Sequence, residues 1–471
     1  MSYVPDQAKH TTAYVAICDP PPVRAKPSRA DAETAEGLAL PRASLPRIAL
    51  RGIAVVAILW WFAMRRAVAV FTGSISGPVA LRRAFETLGP IYVKLGQLIA
   101  SGEALFPESY SEEFRTLLDR VPPFPFSDVE RIVREDLGAP PSALFATLDP
   151  EPMAAASIAQ VHTATLRDGR DVVVKVQRPG IGALAAADIR IMRAFAWLAM
   201  KVSSLARGSN VVAFVDDFEA NLIEELDFRR EAERMREFND VMRIMGNRRT
   251  SAPAVEDALT HARVLTMERF RGWRIDDAAS VRASGFDPEE ALIDGIRAWF
   301  QTLILRGFFH GDVHAGNFML RQDGRIGFLD FGIVGRFQQN NRQGVLEYVL
   351  GFQQRDFARV ADAMIAMETM EPGKQVDREA LGRDLEDTFR PMLDPEAGFT
   401  LKDLVPGLIR SARRHELRMP RDLVLVTKQL VYLDRYSRAY GGEKMNVLTD
   451  ARLTNLITQD MLVAMLSPEK G

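Results

Sequence analysis

The chain has 471 residues, of which 47% are apolar and 26% are charged, with a formal net charge of -2. This length and composition are typical of a globular protein of two or three compact units and exclude global disorder, and we expect no nucleic-acid partner because no basic patch with interleaved aromatic residues is present. The single cysteine, Cys18, excludes an internal disulfide and a zinc finger.

Residues 1–45 are rich in proline and lack apolar periodicity. Burial in such a segment cannot offset the loss of chain entropy, so we predict a disordered tail. The segment does not begin with a basic stretch followed by an apolar core, which argues against a cleaved signal or a transit peptide.

Residues 46–72 contain the most apolar stretch of the chain, and no acidic residue occurs between Gly37 and Phe85. As a helix, the uncharged run Gly52–Met64 extends about 20 Å, which is short of the roughly 30 Å hydrocarbon core of a bilayer. Spanning requires that nearby arginines snorkel, whereas Trp60 and Trp61 suit a helix lying at an anionic interface. We predict a membrane-associating helix; the alternative is a helix packed inside the protein or against a partner.

Residues 73–127 show a helical pattern with two distinct faces. The apolar positions Ile91, Leu95 and Leu98 share one face, while Lys94 and Gln97 share another. A run of prolines at 122, 123 and 125 ends this unit. We predict a helical extension that presents a polar cluster.

A strand hairpin is predicted between Met153 and Pro179. A loop of small residues, Ala154, Ala155, Ala156 and Ser157, precedes a strand, an Asp168-Gly169 turn and a second strand. Strand alternation places Val172, Val174 and Val176 on one face and Lys175 on the other. Such a loop lets backbone N–H groups approach phosphate oxygens that the lysine neutralises, although an ordinary loop and a surface lysine remain the alternatives when each is taken alone.

The segment His310–Asn317, HGDVHAGN, is followed by Asp330-Phe331-Gly332. Asp312 and Asn317 are separated by the spacing of a kinase catalytic loop. Carboxylate and amide oxygens are the hard ligands that phosphate-bound Mg²⁺ prefers, so we predict a metal–nucleotide site that includes Lys175. His310 and His314 suggest zinc, but the glycines beside them and the lack of a His-Glu-x-x-His motif favour hydrogen bonds that order the loop.

A helix predicted from Phe214 to Asn239 offers a carboxylate partner for Lys175. Its apolar stripe consists of Phe218, Leu222 and Leu226, and Asp227 and Glu231 share another face. The alternative is a solvated helix with local pairs such as Glu225 with Arg229.

Together these motifs resemble the AarF/UbiB family of atypical kinase-like proteins, over roughly residues 75–440. Lys94-Leu95-Gly96-Gln97 is similar to the Lys-x-Gly-Gln motif of the family, Ala154–Ser157 to its alanine-rich loop, and Glu225-Leu226-Asp227 to its Glu-x-Asp motif. The resemblance implies an α+β, protein-kinase-like bilobal fold. Its lobes are expected at residues 128–270 and 271–471, after the Lys-x-Gly-Gln helical extension at 73–127.

The resemblance also implies a role for each motif residue, with ATP or ADP and Mg²⁺ as ligands. Asp312, Lys175 and Glu231 are expected to be catalytic, and Asn317 and Asp330 to bind the metal. Nucleotide contacts are expected from Ala154, Ala155, Ala156, Ser157, Lys175, Met267 and Glu268. Lys94 and Gln97 are expected to form a gate in which Lys94 meets Glu225 or Asp227.

Members of this family support ubiquinone or related prenyl-quinone biosynthesis at membranes, with ATPase activity. The resemblance thus implies an ATPase on the cytoplasmic side of a bacterial inner membrane, with membrane lipids, quinone-biosynthesis enzymes or prenyl-quinone intermediates as partners. Gly311, in place of the arginine of His-Arg-Asp, and the lack of Ala-Pro-Glu after Gly332 argue against protein kinase activity. Two alternatives remain: a small-molecule phosphotransferase, because the loop also resembles those of aminoglycoside and choline kinases, and a non-enzymatic lipid-binding pseudokinase.

Overall fold

The computed structural model describes residues 40–41, 43–72, 76–101, 108–114, 116–117, 122–203, 211–314, 316–337, 342–367, 376–390 and 450–466, with scattered positions between 407 and 437. The predicted disordered tail lies outside these ranges apart from its last few positions.

The N-terminal extension is helical. It comprises α1 (Leu45–Thr72), α2 (Gly77–Leu88), α3 (Pro90–Ser101) and α4 (Glu108–Phe114). In α1, Leu45–Val68 is long and apolar enough to cross a membrane by length and composition, and 6% of its most apolar window is buried. Arg51 does not snorkel, because its guanidinium pairs with the buried Asp188 at 2.7 Å.

The first lobe is built on a four-stranded antiparallel sheet in the order β1-β2-β3-β5. Its elements are α5 (Phe126–Leu137), α6 (Pro141–Leu144), β1 (Phe145–Ala155), β2 (Ala159–Leu166), β3 (Asp171–Gln177), α7 (Ile181–Val202), α8 (Val211–Glu225), α9 (Phe228–Ile244), β4 (Thr250–Ser251) and β5 (Val264–Glu268).

The predicted hairpin is confirmed. Strands β2 and β3 pair in antiparallel register, and Gly169 adopts the positive φ of 89° that the tight turn requires. On β3, Val172, Val174 and Val176 pack with α5 in one apolar cluster, while Val173 belongs to the core on the other face. Lys175 therefore shares the face of Val173, as the strand alternation predicted.

The prediction of one helix from Phe214 to Asn239 was wrong. Helix α8 ends at Glu225, and α9 begins at Phe228 with Asp227 as its N-cap. The Asp227 carboxylate accepts the N–H of Arg229, and the main-chain N–H of Phe228 donates to Ala262 on a neighbouring segment. The helix breaks here because these capping bonds replace intrahelical ones.

The second lobe is mainly helical with two small sheets. Its elements are β6 (Gly272–Arg274), α10 (Ala278–Ala283), α11 (Pro288–Arg306), β7 (Phe308–His310), β8 (Phe318–Arg321), β9 (Ile326–Phe328), β10 (Val334–Arg336), α12 (Arg342–Gln354), α13 (Phe357–Ala366), α14 (Arg378–Phe389) and α15 (Ala451–Leu466). Strands β7 and β10 form a pair, and β4 joins β9, β8 and β6 in a second sheet. Helix α11 is largely buried. The predicted α+β, kinase-like fold with an N-terminal helical extension is confirmed.

Candidate active site

Lys175 lies at the point where both lobes meet. It projects from the central strand β3, and its ammonium lies 2.9 Å from each carboxylate oxygen of Glu231 on α9. The same ammonium lies 3.4 Å from Oδ1 of Asp330, which follows β9. Three elements that are distant in sequence therefore converge on one cation.

One ammonium shared by two carboxylates determines which group of this site is protonated first as the pH falls. Burial would lower the pKa of Lys175, but Asp330 and Glu231 outweigh burial and raise it. Partial desolvation in the cleft would raise the pKa of Asp330, but Lys175, Lys94 and the Gly332 N–H hold it below its usual range. Burial, with help from Asp330 and Glu225, raises the pKa of Glu231 to about 7 despite Lys175. Near neutral pH, Asp330 keeps its charge and Glu231 is the group that takes up a proton.

The Asp-Phe-Gly segment is held in one conformation. Asp330 has a positive φ of 52°, uncommon for a residue with a side chain, and its carboxylate accepts the N–H of Gly332 at 3.2 Å. Phe331 is fully buried, with its ring 5.3 Å from that of Phe238. Arg234 of α9 donates to the carbonyl oxygens of Phe331 and Gly332. Phe331 thus anchors the segment while the Asp330 side chain, 52% exposed, lines the open cleft.

The loop after β7 is ordered by its histidines, as predicted. The Asp312 N–H donates to Nδ1 of His310 at 3.1 Å, and Nε2 of His310 bonds the carbonyl oxygen of Leu329 at 2.9 Å. Burial lowers the pKa of His310, so its ring is neutral. The Gly316 N–H donates to Nδ1 of His314 at 2.9 Å. These bonds fix the main chain on both sides of Asp312.

Asn317 ends this loop directly beside Asp330. Its carbonyl oxygen accepts the N–H of Leu329 at 2.8 Å, and its side-chain amide donates to the carbonyl oxygen of Asp312 at 3.2 Å. The amide oxygen of Asn317 accepts no hydrogen bond from a described residue, and the main-chain bond to Leu329 joins Asn317 to the residue immediately before Asp330. An amide oxygen and a carboxylate are hard oxygen donors that fit Mg²⁺. No group of three or more His, Cys, Asp or Glu side chains among the described residues could hold a metal alone, so phosphate oxygens and water would complete the coordination.

The alanine-rich segment is not the continuous loop that the sequence predicted: Ala154 and Ala155 end β1, paired with β2, and only Ala156 and Ser157 lie in the turn between β1 and β2. Ala154 and Ala156 are exposed and Ala155 is half-buried, whereas Ser157 is buried. Arg178 donates to the carbonyl oxygen of Ser157 at 3.2 Å and thereby fixes the position of the turn. The alanines are therefore open to a ligand, and the Ser157 side chain is not.

Met267 and Glu268 lie at the end of β5. Met267 is buried in the core. The Glu268 side chain accepts from Arg321 of β8 at 2.7 Å, and the Glu268 N–H donates to the carbonyl oxygen of Ala254. The Glu268 side chain thus links the two lobes and is directed away from Lys175.

Lys94 of α3 reaches the same cleft. Its ammonium lies 2.7 Å from Oε2 of Glu225, at the end of α8. Burial would lower the pKa of Lys94, but Glu225, Asp330 and Asp312 raise it, so both aspartates lie within Coulombic range of this cation. Helix α3 therefore carries a positive charge to the mouth of the cleft.

The other motif residues have different positions. Asp227 caps α9 and pairs with Arg229 at 2.8 Å, so of the two predicted partners Lys94 meets Glu225. Gln97 is half-buried, and no hydrogen bond joins its side chain to another described residue. A side chain at Gly96 would place its Cβ 2.4 Å from Leu117. The glycine of the Lys-x-Gly-Gln motif is therefore needed for close packing of α3.

The sequence analysis missed Gln429 and Arg234. Gln429 is fully buried; its side chain donates to the carbonyl oxygen of Gly311 at 2.6 Å and accepts the N–H of Val313 at 3.0 Å. A glutamine 116 positions from Val313 carries no local signal for this contact. Arg234 belongs to a run of charged residues on α9, where only the fold distinguishes it from its solvated neighbours.

Comparisons with known proteins agree on the relationship. The sequence model of the ABC1 atypical kinase-like domain matches residues 116–364. An uncharacterised aarF domain-containing chloroplast protein kinase of Arabidopsis thaliana is 37% identical over 80% of this chain and 74% of its own length. An uncharacterised protein of Mycobacterium tuberculosis is 40% identical, over 81% and 78%. A probable protein kinase UbiB of Marinobacter nauticus is 34% identical, over 76% and 66%. The chain therefore belongs to the AarF/UbiB family of ABC1-type atypical kinase-like proteins.

Proposed function

We propose that this protein is a Mg²⁺-dependent ATPase that acts at a membrane as an accessory factor in ubiquinone or related prenyl-quinone biosynthesis. The observation that carries the ATPase assignment is the position of the Lys175 ammonium between Glu231 and Asp330, with Asn317 hydrogen-bonded to the residue before Asp330. The relatives named UbiB support the quinone assignment.

The charge of the cleft supports binding of a divalent cation. When all groups are ionised, four carboxylates face two ammonium groups, which leaves two excess negative charges. The six groups are Glu225, Glu231, Asp312, Asp330, Lys94 and Lys175. A bound Mg²⁺, held by Asp330 and Asn317, would offset this excess and neutralise charge on the phosphates.

Each remaining residue has a defined task in hydrolysis. Lys175, held by Glu231, neutralises oxygens of the nucleotide phosphates, and the small exposed side chains of Ala154 and Ala156 leave room for them. The Asp312 carboxylate, fixed through His310, orients the attacking water and accepts the proton it releases as the bond between the γ-phosphorus and the ADP oxygen breaks.

The surroundings of Asp312 favour water over a peptide as the acceptor. Lys94, tied to Glu225, stands within Coulombic range of Asp312 and would oppose entry of a basic peptide chain. Gly311 also has no room for a side chain, since an added Cβ would lie 2.9 Å from Ile333. The arginine with which protein kinases bind a phosphorylated activation loop therefore does not fit at position 311.

Phosphate release from Mg-ATP by the purified full chain, with and without anionic liposomes, tests the ATPase. Asp330→Asn should abolish turnover because the amide cannot replace the charged metal ligand. Asp323→Asn, in the exposed turn between β8 and β9, is the matched control and should hydrolyse ATP at the wild-type rate. Unchanged turnover in Asp330→Asn would refute the assignment.

The quinone assignment has a separate test. Mass spectrometry of prenyl-quinone intermediates in a deletion strain should show an accumulated precursor that wild-type protein removes and Asp330→Asn does not. A normal intermediate profile in the deletion strain would refute the quinone part of the proposal and leave the ATPase part standing.

A nucleotide-gated, non-enzymatic lipid-binding protein is the second candidate. The closed Lys94–Glu225 pair favours it, because α3 is tied across the cleft where an acceptor would enter. In that case ATP would raise the melting temperature without phosphate release, and ³¹P NMR would show neither free phosphate nor a phosphorylated acceptor.

A further inference from the structure

Two helices of the described chain carry most of its exposed apolar surface. Of the fifteen large apolar side chains that the described residues expose, twelve lie on α1 and α7. Eight belong to α1 and four to the second half of α7: Leu45, Leu50, Ile53, Val56, Trp60, Trp61, Met64, Val68, Phe195, Trp197, Leu198 and Val202. A large exposed apolar surface marks an interaction site.

Helix α1 packs along its length against the surface of the protein. Its exposed residues Leu50, Ile53, Trp60 and Met64 recur at helical spacing along most of its length of about 42 Å. On the opposite face Val55 is fully buried, and Ile58 and Leu59 pack against the core. The apolar stripe therefore runs along the helix axis and faces away from the protein.

Helix α7 runs beside α1 in the same direction. Arg51 pairs with Asp188, and one residue further on a Cβ at Gly52 would lie 4.0 Å from Ile191. Trp60 and Trp197 each follow the Arg51–Asp188 pair by nine residues, about 14 Å along either axis. Nine residues are two and a half helical turns, so each tryptophan points away from the contact between the two helices, and Trp197 does not extend the stripe of α1.

Helix α2 returns along α1 in the opposite direction. The Arg51 guanidinium donates to the carbonyl oxygen of Leu88 at the end of α2, and Gly77 at its start lies beside Arg66. Arg82 of α2 pairs with Glu113 of α4 at 2.6 Å. If α1 crossed a bilayer, α2 and its charged residues would have to enter the hydrocarbon as well, at a cost of several kcal/mol. Both ends of α1 are therefore on the side of the kinase-like domain.

The charges around this surface suit an anionic partner. Helices α1 and α7 carry seven basic residues and one acidic residue, and the acidic residue, Asp188, is buried in its pair with Arg51. Arg47 and Arg65 border the apolar stripe, and the Arg65 guanidinium lies 6.0 Å from the centre of the Trp61 ring. Arg193 is neutralised by acidic residues of α8. Tryptophans flanked by cations are typical of the bilayer interface.

We propose that the exposed apolar stripe of α1 forms a membrane-binding surface that lies in the interface of an anionic bilayer without crossing it. This inference rests on the membrane association in the proposed function and adds its mode. The domain would be held with its side against the lipid, since α1 is packed along the protein and does not extend from it as a free anchor.

Binding of the full chain to phosphatidylcholine vesicles with and without phosphatidylglycerol tests the surface. We expect the wild type to sediment with the anionic vesicles and Trp60→Glu to partition at least about tenfold less. Ile244→Glu, at an exposed site on α9, is the matched control and should bind as the wild type does. Equal binding by Trp60→Glu would overturn the proposal. No binding by the wild type would overturn the membrane part of the proposed function as well, while the ATPase test stands apart.

Cysteine labelling tests whether α1 crosses. In a Cys18→Ser background, Ser44→Cys reports on the segment before α1 and Arg248→Cys on the kinase-like domain after it, and both positions are exposed. A membrane-impermeant maleimide should label both cysteines equally in inside-out membrane vesicles, relative to detergent-solubilised samples. Protection of Ser44→Cys until detergent is added, with Arg248→Cys labelled at once, would show a crossing helix and overturn the proposal.

Discussion

The side chain of Gln429 donates to the carbonyl oxygen of Gly311 at 2.6 Å, across 118 positions of sequence. Its amide oxygen also accepts the N–H of Val313, so one buried glutamine bonds the main chain on both sides of Asp312. The position of the Asp312 carboxylate therefore depends on a residue that touches no substrate.

Gln429→Leu should lower turnover more than nucleotide affinity. The substitution leaves the Gly311 carbonyl and the Val313 N–H unpaired, each at a cost of about 1–3 kcal/mol, and frees the loop that carries Asp312. We expect kcat for ATP to fall at least about tenfold with little change in KM. Ser437→Ala, which removes another buried hydrogen bond nearby, should lower the melting temperature without this split. Equal changes in both variants would leave Gln429 with a purely structural role.

Lys94→Ala should destabilise the protein and release the cleft at the same time. It leaves Glu225 buried and unpaired, which costs about 3 kcal/mol. It also removes a cation near Asp330, so the metal site becomes more negative. We expect basal Mg-ATP hydrolysis to rise at least about fivefold, measured as phosphate release at saturating Mg²⁺.

The double variant Lys94→Ala/Glu225→Gln separates these two effects. Without a buried unpaired carboxylate, most of the lost stability should return, while the raised hydrolysis should persist. If hydrolysis returned to the wild-type rate together with stability, Lys94 would be a structural residue and the gate would be lost.

Local periodicity and spacing revealed much of the site before the structure did. Strand alternation was enough to direct Lys175 away from Val174, and the five-residue spacing of Asp312 and Asn317 describes a single loop. The contacts that join these segments could not be predicted from the sequence. The break at Asp227 depends on a bond from Phe228 to another segment, because a continuous helix and a capped pair share the same apolar period.

Ion pairs over long distances were also beyond the sequence. Arg51 stands in an apolar run beside a tryptophan pair, so snorkelling was a sound physical expectation. Its partner Asp188 lies 137 positions away on a helix with no other acidic residue. Only the packing of α1 against α7 brings them together, and that packing decides how the N-terminal helix can meet a membrane.

Glu231→Gln should flatten the pH dependence of stability in the nucleotide-free protein. The pKa of Glu231 is raised to about 7 in the fold, above its usual value near 4.3, so the fold binds the extra proton. The stability from this group is present below the usual pKa and is lost as pH rises through about 7, by about 4 kcal/mol at most. The pKa of Asp330 is lowered, so protonation of Asp330 changes the stability only under more acidic conditions.

Melting temperatures between about pH 5 and about pH 8 measure this effect. The wild type should lose stability across the range more steeply than Glu231→Gln, and Glu237→Gln, on the same helix and paired with Arg336, should follow the wild type. Parallel curves for the wild type and Glu231→Gln would show that another group takes up the proton.

Gly96→Ala should push α3 away from its neighbours and weaken the Lys94–Glu225 pair. The new Cβ would lie 2.4 Å from Leu117 and 2.6 Å from Phe114, both buried, so overpacking should cost about 1–3 kcal/mol in the free energy of unfolding. Leu117→Ala alone should cost about 2–5 kcal/mol through its cavity, but it makes room for the added methyl group. The double variant Gly96→Ala/Leu117→Ala should therefore be more stable than the sum of the single changes predicts. The weakened Lys94–Glu225 pair should raise basal ATP hydrolysis in Gly96→Ala, and the double variant should return this rate toward that of the wild type. Strictly additive losses would mean that Gly96 serves the motif in some way other than packing.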